Sequence, residues 1–444
     1  MKGQKYPEEP LKCWNKAKEL RYKVYASYAK AVEEGGMRIA GCTIAPNAVL
    51  KGFGRDVYFL GSEPYCAGAA AFSDFATPLQ EACERKGIAR DLCGYMKNYW
   101  GGILTDKFIL PDKTIIPWPK PTLFFSYHIC CTHGKWYQYA SELEGVPYFA
   151  IDLSPRLGAT HSTKESMDYM VAQLSEGIEW LEKTTGRKFD EELFIEYAMN
   201  EFNSGEAWAE AYIENEAIPA PIDEKALYSF FFFNMTTPEW PEVVDLYREF
   251  RDELRDRVKR GIAGCGTERY RIFTDGPPTW AALQIFRFAE REYGAVSIAS
   301  LYTSHWGAVW ERDKEGSLIP AKPPTKGEFS SGNREDRIRK YLDWKLDKTD
   351  LWFLFYDTSK KSEYLKKMIK QWKCDGVFMH LNRGCEGTSL GIMETKLALT
   401  KAGIPVLSYE GNMGDTRDFD YGRTQARMET FLQNQGLEKL GDGS

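Results

Sequence analysis

Short apolar runs alternate with helix-period stretches over two parts of the chain, and a long helical stretch separates them. Met37 opens the first part, followed by Val57-Tyr58-Phe59-Leu60, Thr122-Leu123-Phe124-Phe125 and Pro147-Tyr148-Phe149-Ala150-Ile151-Asp152. Runs of this length bounded by Gly, Pro or polar residues read as buried strands. From Lys164 to about Gly261 the period changes to that of amphipathic helices, over Ser166 to Lys183, Asp190 to Glu201 and Pro241 to Lys259. Strands are expected again at Tyr270 to Phe273, Val296 to Ile298, Leu351 to Phe355, Gly376 to Met379 and Pro405 to Ser408. The pattern predicts an α/β protein with two open parallel-sheet units of the Rossmann or flavodoxin-like type and a helical middle segment. Its divisions are an N-terminal helical segment over 1–35, a first α/β unit over 36–160, the helical segment over 161–261 and a second α/β unit over 262–444. Residues 312–336, with Pro320, Pro323 and Pro324, read as a loop or excursion. No repeat of 20 to 50 residues is visible.

A length of 444 residues exceeds what one ordinary core fills, which agrees with two or three compact units. Hydrophobic residues at 43% and charged residues at 27% place the chain among globular proteins. A net charge of −6, with the basic run Arg251 to Arg260 interleaved with acids, argues against a nucleic-acid partner. The apolar clusters Tyr228 to Phe233 and Leu351 to Tyr356 are far shorter than the roughly 18 residues of a membrane span. Met1 to Leu20 lacks the apolar core of a secretory signal, so a cytoplasmic location is expected. In a reducing compartment ten cysteines do not build a disulfide framework, and their dispersal does not fit a paired CxxC zinc module. Widely separated ligands of an iron–sulfur cluster remain open.

The chain has no GxxxxGK[ST] loop and no GxSxG elbow, and Gly264-Cys265-Gly266 precedes a strand where a dinucleotide fingerprint would follow one. ATP binding and serine-hydrolase chemistry are therefore not expected. Three cysteines stand in loops at or after predicted strands: Asp91-Leu92-Cys93-Gly94-Tyr95, Cys131-Thr132-His133-Gly134-Lys135-Trp136 and Arg383-Gly384-Cys385-Glu386. Ligand sites of open α/β sheets gather at the carboxyl ends of strands, where distant loops converge. Three thiolates there could hold an iron–sulfur cluster and leave one iron open. Spacing alone leaves the alternative standing, namely scattered buried cysteines packing as small hydrophobes.

These blocks, with Val146 to Asp152, Asp375-Gly376-Val377 and Gly403 to Gly411, resemble the benzoyl-CoA reductase and 2-hydroxyacyl-CoA dehydratase family from about residue 37 to 430. The resemblance implies Cys93, Cys131 and Cys385 as ligands of a [4Fe-4S] cluster, or of half of a double-cubane cluster. The Cys-x-x-x-Lys spacing to Lys135 favours Cys131 over the adjoining Cys130. It further implies a smaller paralogous iron–sulfur subunit, an ATP-hydrolysing activator with its own cluster, and an acyl-CoA substrate. Cys13, Cys42, Cys83, Cys265 and Cys374 read as structural, and Cys66 is left open.

One position departs from the family pattern. Where Pro-x-Glu is usual, this chain has Pro46-Asn47-Ala48. A dehydratase must remove a proton and expel hydroxide, so losing a carboxylate weakens that reading, whereas ring reduction has no leaving group. The expected role is thus the larger core subunit of an ATP-dependent benzoyl-CoA reductase, passing electrons to an aromatic thioester and yielding a cyclic dienoyl-CoA. The alternatives are a 2-hydroxyacyl-CoA dehydratase subunit and an electron-relay subunit that never meets substrate. His128 and His133 flank the cysteine pair as candidate proton donors, with structural roles as the competing reading.

Overall fold

The computed structural model describes residues 4–153, 161–349 and 357–441. Among the described residues, eight strands build two parallel sheets. β1 (Met37–Gly41), β2 (Val57–Gly61), β3 (Leu123–His128) and β4 (Tyr148–Asp152) form the first, and β5 (Tyr270–Asp275), β6 (Ala295–Ser300), β7 (Gly376–Asn382) and β8 (Val406–Gly411) the second. The order is β2-β1-β3-β4 in one and β8-β7-β5-β6 in the other. Numbered within each unit, both orders are 2-1-3-4, so the two sheets share one topology, and both stay parallel throughout. The expected α/β class, with parallel sheets on either side of a helical segment, is what the chain adopts. The strand order could not be read from the strands' sequences, because it is set by which strands pair at long range.

The strands read as continuous apolar runs because helices cover both faces of such sheets. β5 and β6 are buried along their whole length. The expected strand Leu351 to Phe355 lies outside the described residues. The region 312–336, expected as a loop, contributes Leu318–Pro320, which pairs with Trp310–Arg312 in a short antiparallel ribbon, and the helix Lys326–Ser330. Helix Arg334–Leu342 starts within it as well. Capping boxes start both helices, Thr325 with Glu328 and Asn333 with Asp336, and satisfy backbone donors that a short helix would leave open.

The middle segment supplies helices Lys164–Thr185, Glu191–Tyr212, Glu224–Phe231 and Pro241–Arg260. Asp190 caps the second through the backbone N–H groups of Glu192 and Leu193, and the last begins with Pro241 and stops at left-handed Gly261. Helix Glu191–Tyr212 links the two sheet units. It packs on the short helix Asn47–Lys51 after β1, while Trp208 Nε1 donates to the Thr303 carbonyl and Tyr212 Oη to the Ser300 carbonyl, each at 3.1 Å, at and just beyond the end of β6. No helix among the described residues is long and apolar enough to cross a membrane.

Candidate functional site

β3 and β7 are both interior strands of their sheets, and each runs out into a cysteine loop. Beyond β3 come Cys130 and Cys131, then helix His133–Glu144. Beyond β7 comes Cys385, then the short helix Glu386–Ser389. Cys93 arrives from the first unit at the N-cap of helix Gly94–Thr105.

Glycines bring these loops together. Gly384 has φ of +73°, and a Cβ there would stand 2.7 Å from the Leu92 carbonyl oxygen and 2.9 Å from that of Asp91. A Cβ on Gly94 would lie 2.8 Å from Cα of Gly414, and one on Gly414 would strike the Gly94 backbone at 2.6 Å. The Cys93 loop is thus pressed against the Cys385 loop and the segment after β8 at distances only glycine permits. The Gly that follows Cys93 and the Gly that precedes Cys385 are there for this contact. Buried Lys97 reinforces it, with Nζ 3.4 Å from Asp415 of the second unit and 3.6 Å from Glu84 of the first.

The thiols respond to one another. Burial pushes the Cys93 thiol well above its ordinary pKa, and the neighbouring Cys385 and Cys130 push it further. Cys385 is raised by burial, with Cys130 adding to the shift, while a hydrogen bond from Thr388 Oγ1 to its sulfur at 3.1 Å works against it. For Cys130 burial also raises the pKa, but the adjacent His133 outweighs it and the net shift is downward. His133 is buried between Cys130 and Glu63, with Nε2 2.5 Å from Glu63 Oε1. Burial alone would lower its pKa, yet the two flanking acids hold it well above the ordinary value.

Cys131 takes a different position from its neighbour. It is exposed, and its thiol donates to Glu386 Oε2 at 2.6 Å, so it too reaches the Cys385 loop. Burial and then the Glu386 carboxylate push its pKa up to about 11. Of the adjacent pair, Cys130 is the one whose charge is felt at Cys93 and Cys385. Among the described residues no three His, Cys, Asp or Glu side chains are placed to hold a single metal ion. A multi-iron cluster makes a different demand, because each thiolate binds its own iron and the ligands spread around the group. Three thiols from three loops, close enough to shift one another's ionisation, fit that demand.

The histidines separate. His128 Nε2 is 2.9 Å from the Tyr148 hydroxyl on β4, a contact between adjacent strands, and burial lowers its pKa. His380 stacks on Tyr409 and bonds the Pro277 carbonyl, and His305 bonds that of Leu301. Cys13, Cys42 and Cys83 are buried and Cys265 and Cys374 half-buried. Cys66 is buried near Cys93, whose charge is one cause of its raised pKa. Sequence pattern does not single out Glu63. Its one signal is its place two residues after the end of β2 and three before Cys66, and only the pairing of sheet and helix brings it to His133.

Loops from both sheet units thus bring Cys93, Cys130 and Cys385 into one another's neighbourhood. The chain belongs to the family described as 2-hydroxyglutaryl-CoA dehydratase, D-component, whose model matches residues 42–434. It is 27% identical over 420 residues to the (R)-2-hydroxyisocaproyl-CoA dehydratase alpha subunit of Clostridioides difficile, covering 94% of this chain and 93% of that one. It is 25% identical to the (R)-phenyllactyl-CoA dehydratase alpha subunit of Clostridium sporogenes, covering 93% and 91%. It is also 25% identical to a benzoyl-CoA reductase subunit of Thauera aromatica, covering 81% and 80%. Each of these relatives is, by its name, one component of a larger enzyme, and both reaction types occur among them.

Proposed function

We propose that this chain is the larger, cluster-bearing subunit of an ATP-dependent aromatic acyl-CoA reductase of the benzoyl-CoA type. Its partners are a smaller paralogous iron–sulfur subunit and an ATP-hydrolysing activator. The observation that carries the site is the meeting of the Cys93, Cys130–Cys131 and Cys385 loops. Cys93 and Cys385 supply two thiolates of an iron–sulfur cluster, either [4Fe-4S] or half of a double cubane. The third comes from the adjacent pair. The spacing to Lys135 favours Cys131, whereas the mutual charge effects with Cys93 and Cys385 favour Cys130, and we assign Cys130. When bound, the cluster supplies low-potential one-electron chemistry with an iron open to ligands.

The protein's own side chains do the rest. The glycine contacts at Gly94, Gly384 and Gly414 fix the thiol loops. The Glu63–His133 pair holds a proton beside Cys130, in a pocket from which the rings of Trp136 and Tyr137 help exclude water. The choice of ring reduction rests on Ala48. It is fully buried in helix Asn47–Lys51 and leaves that position without an acid or base.

A second reading, dehydration of a 2-hydroxyacyl-CoA, has one observation in its favour. Glu201, buried on helix Glu191–Tyr212, accepts from the Tyr341 hydroxyl at 2.8 Å and pairs with Lys345. Tyr341 also faces the Ala48 backbone, so a carboxylate stands one side chain away from the position that lacks one. The test is an anaerobic assay of the assembled complex with its activator and a low-potential donor. ATP-dependent consumption of benzoyl-CoA, with 2-hydroxyacyl-CoA thioesters untouched, is expected. Dehydration without ring reduction would move the assignment to the second reading.

A further inference from the structure

A cavity of about 250 Å³ opens where the N-terminal helix Trp14–Lys30, helix Ser62–Ala70 and helix Glu224–Phe231 meet. Its walls are largely aromatic, with Tyr25, Tyr65, Tyr228, Phe232 and Trp280 among them, and the Arg21 cation enters from the first of these helices. The Tyr228 and Trp280 rings meet edge to face at 5.2 Å, and Tyr25 lies 5.3 Å from Phe232. A dry cavity of about 150 Å³ takes a benzene ring. The larger volume here has room for one ring and a small substituent, while falling short of the roughly 300–1,000 Å³ that larger ligands occupy.

Arg21 determines what the substituent must be. One of its terminal nitrogens donates to the Ser229 carbonyl, and the guanidinium lies 5.4 Å from the Phe232 ring centre. Its Nε is buried with no partner, and among the described residues no carboxylate pairs with it. Burial pulls its pKa down, as expected of a cation taken from water without a counter-ion. Lys225, the neighbouring cation, is already balanced by Asp223 at 3.0 Å and by Glu290.

We propose that this cavity binds a small aromatic monocarboxylate, with its ring among Tyr65, Tyr228, Phe232 and Trp280 and its carboxylate on Arg21. The site is separate from the thiol loops and does not depend on the reaction assigned to them. It borders them all the same, because the Trp280 indole N–H donates to the hydroxyl of Tyr95, two residues from Cys93.

Calorimetry on the full-length chain tests it with benzoate, benzamide and acetate. Benzoate should bind saturably. Benzamide, which keeps the ring, and acetate, which keeps the charge, should each bind about tenfold or more weakly. Arg21→Met should reduce benzoate to the level of benzamide, and Arg21→Lys should retain part of the preference. Absence of saturable benzoate binding, equal binding of benzamide by the wild-type chain, or unchanged benzoate binding by a folded Arg21→Met variant would each overturn the proposal. If Arg21→Met does not fold, the benzoate-to-benzamide ratio of the wild-type chain decides it alone.

Discussion

The two sheet units each place a cysteine loop after an interior strand, yet they surround the thiol differently. After β3, Cys130 has an acid-backed histidine beside it, and its pKa falls. After β7, Cys385 has the neutral Thr388 hydroxyl as its hydrogen-bond partner and its pKa stays raised, as does that of Cys93 at its helix N-cap. A shared kind of scaffold thus carries the thiol loops, and the local side chains shift the thiols in opposite directions. On this account Cys130 is the thiol shifted toward ionisation, while Cys93 and Cys385 are shifted away from it and give up protons only on becoming ligands.

The comparison breaks most sharply if ligands from both units are not needed. Replacing Cys93 or Cys385 with Ala should abolish both bound iron and turnover in anaerobically purified complex, whereas Cys265→Ala should leave both nearly unchanged. Retention of a full complement of iron by either of the first two variants would detach that loop from the site.

The electrostatic difference is open to a smaller test on metal-free chain. Cys130 ionises below the ordinary thiol pKa, so at about pH 7.5 iodoacetamide should label it ahead of Cys131, which is pushed up to about 11. His133→Ala removes the imidazole that lowers the Cys130 pKa and leaves burial opposed only by backbone hydrogen bonds, so the pKa rises and labelling should slow by roughly tenfold. Peptide mass mapping against time measures this. Equal rates for the two cysteines would remove the asymmetry.

The smallest expected effect concerns the contact between units. Gly384→Ala adds a Cβ at φ of +73° against the Leu92 carbonyl oxygen, and should cost about 1–3 kcal/mol in denaturant unfolding. Gly403→Ala, also at positive φ but with open space around the new Cβ, should cost less. Equal losses would mean that the loop-to-loop contact adds nothing.

The features legible in the sequence are those set by local pattern. Val57 to Leu60 and Tyr270 to Phe273 read as strands because burial makes them mostly apolar, and the structure extends them to Gly61 and Asp275; Pro241 and Gly261 mark the two ends of one helix. The excursion at 312–336 reads as a loop because its helices are held by capping side chains and lack a long apolar period. At the site, Cys93 and Cys385 are recognisable from their blocks, and the glycines beside them acquire a reason only from the meeting of loops remote in sequence. Glu63 and the contrast between Cys130 and Cys131 are not legible. Adjacent residues share a sequence context, and which one faces the other thiols depends on how β3 hands over to the following helix.

That contrast is where the account can be tested most directly, by iron content in the complex purified anaerobically from cells carrying Cys130→Ala or Cys131→Ala. The expected result is that Cys130→Ala loses its iron together with the absorption of an iron–sulfur cluster, while Cys131→Ala keeps both close to the wild-type level. Iron retained by Cys130→Ala and lost from Cys131→Ala would contradict the assignment, and with it the claim that the thiols sensing one another's charge are the ones that hold the cluster.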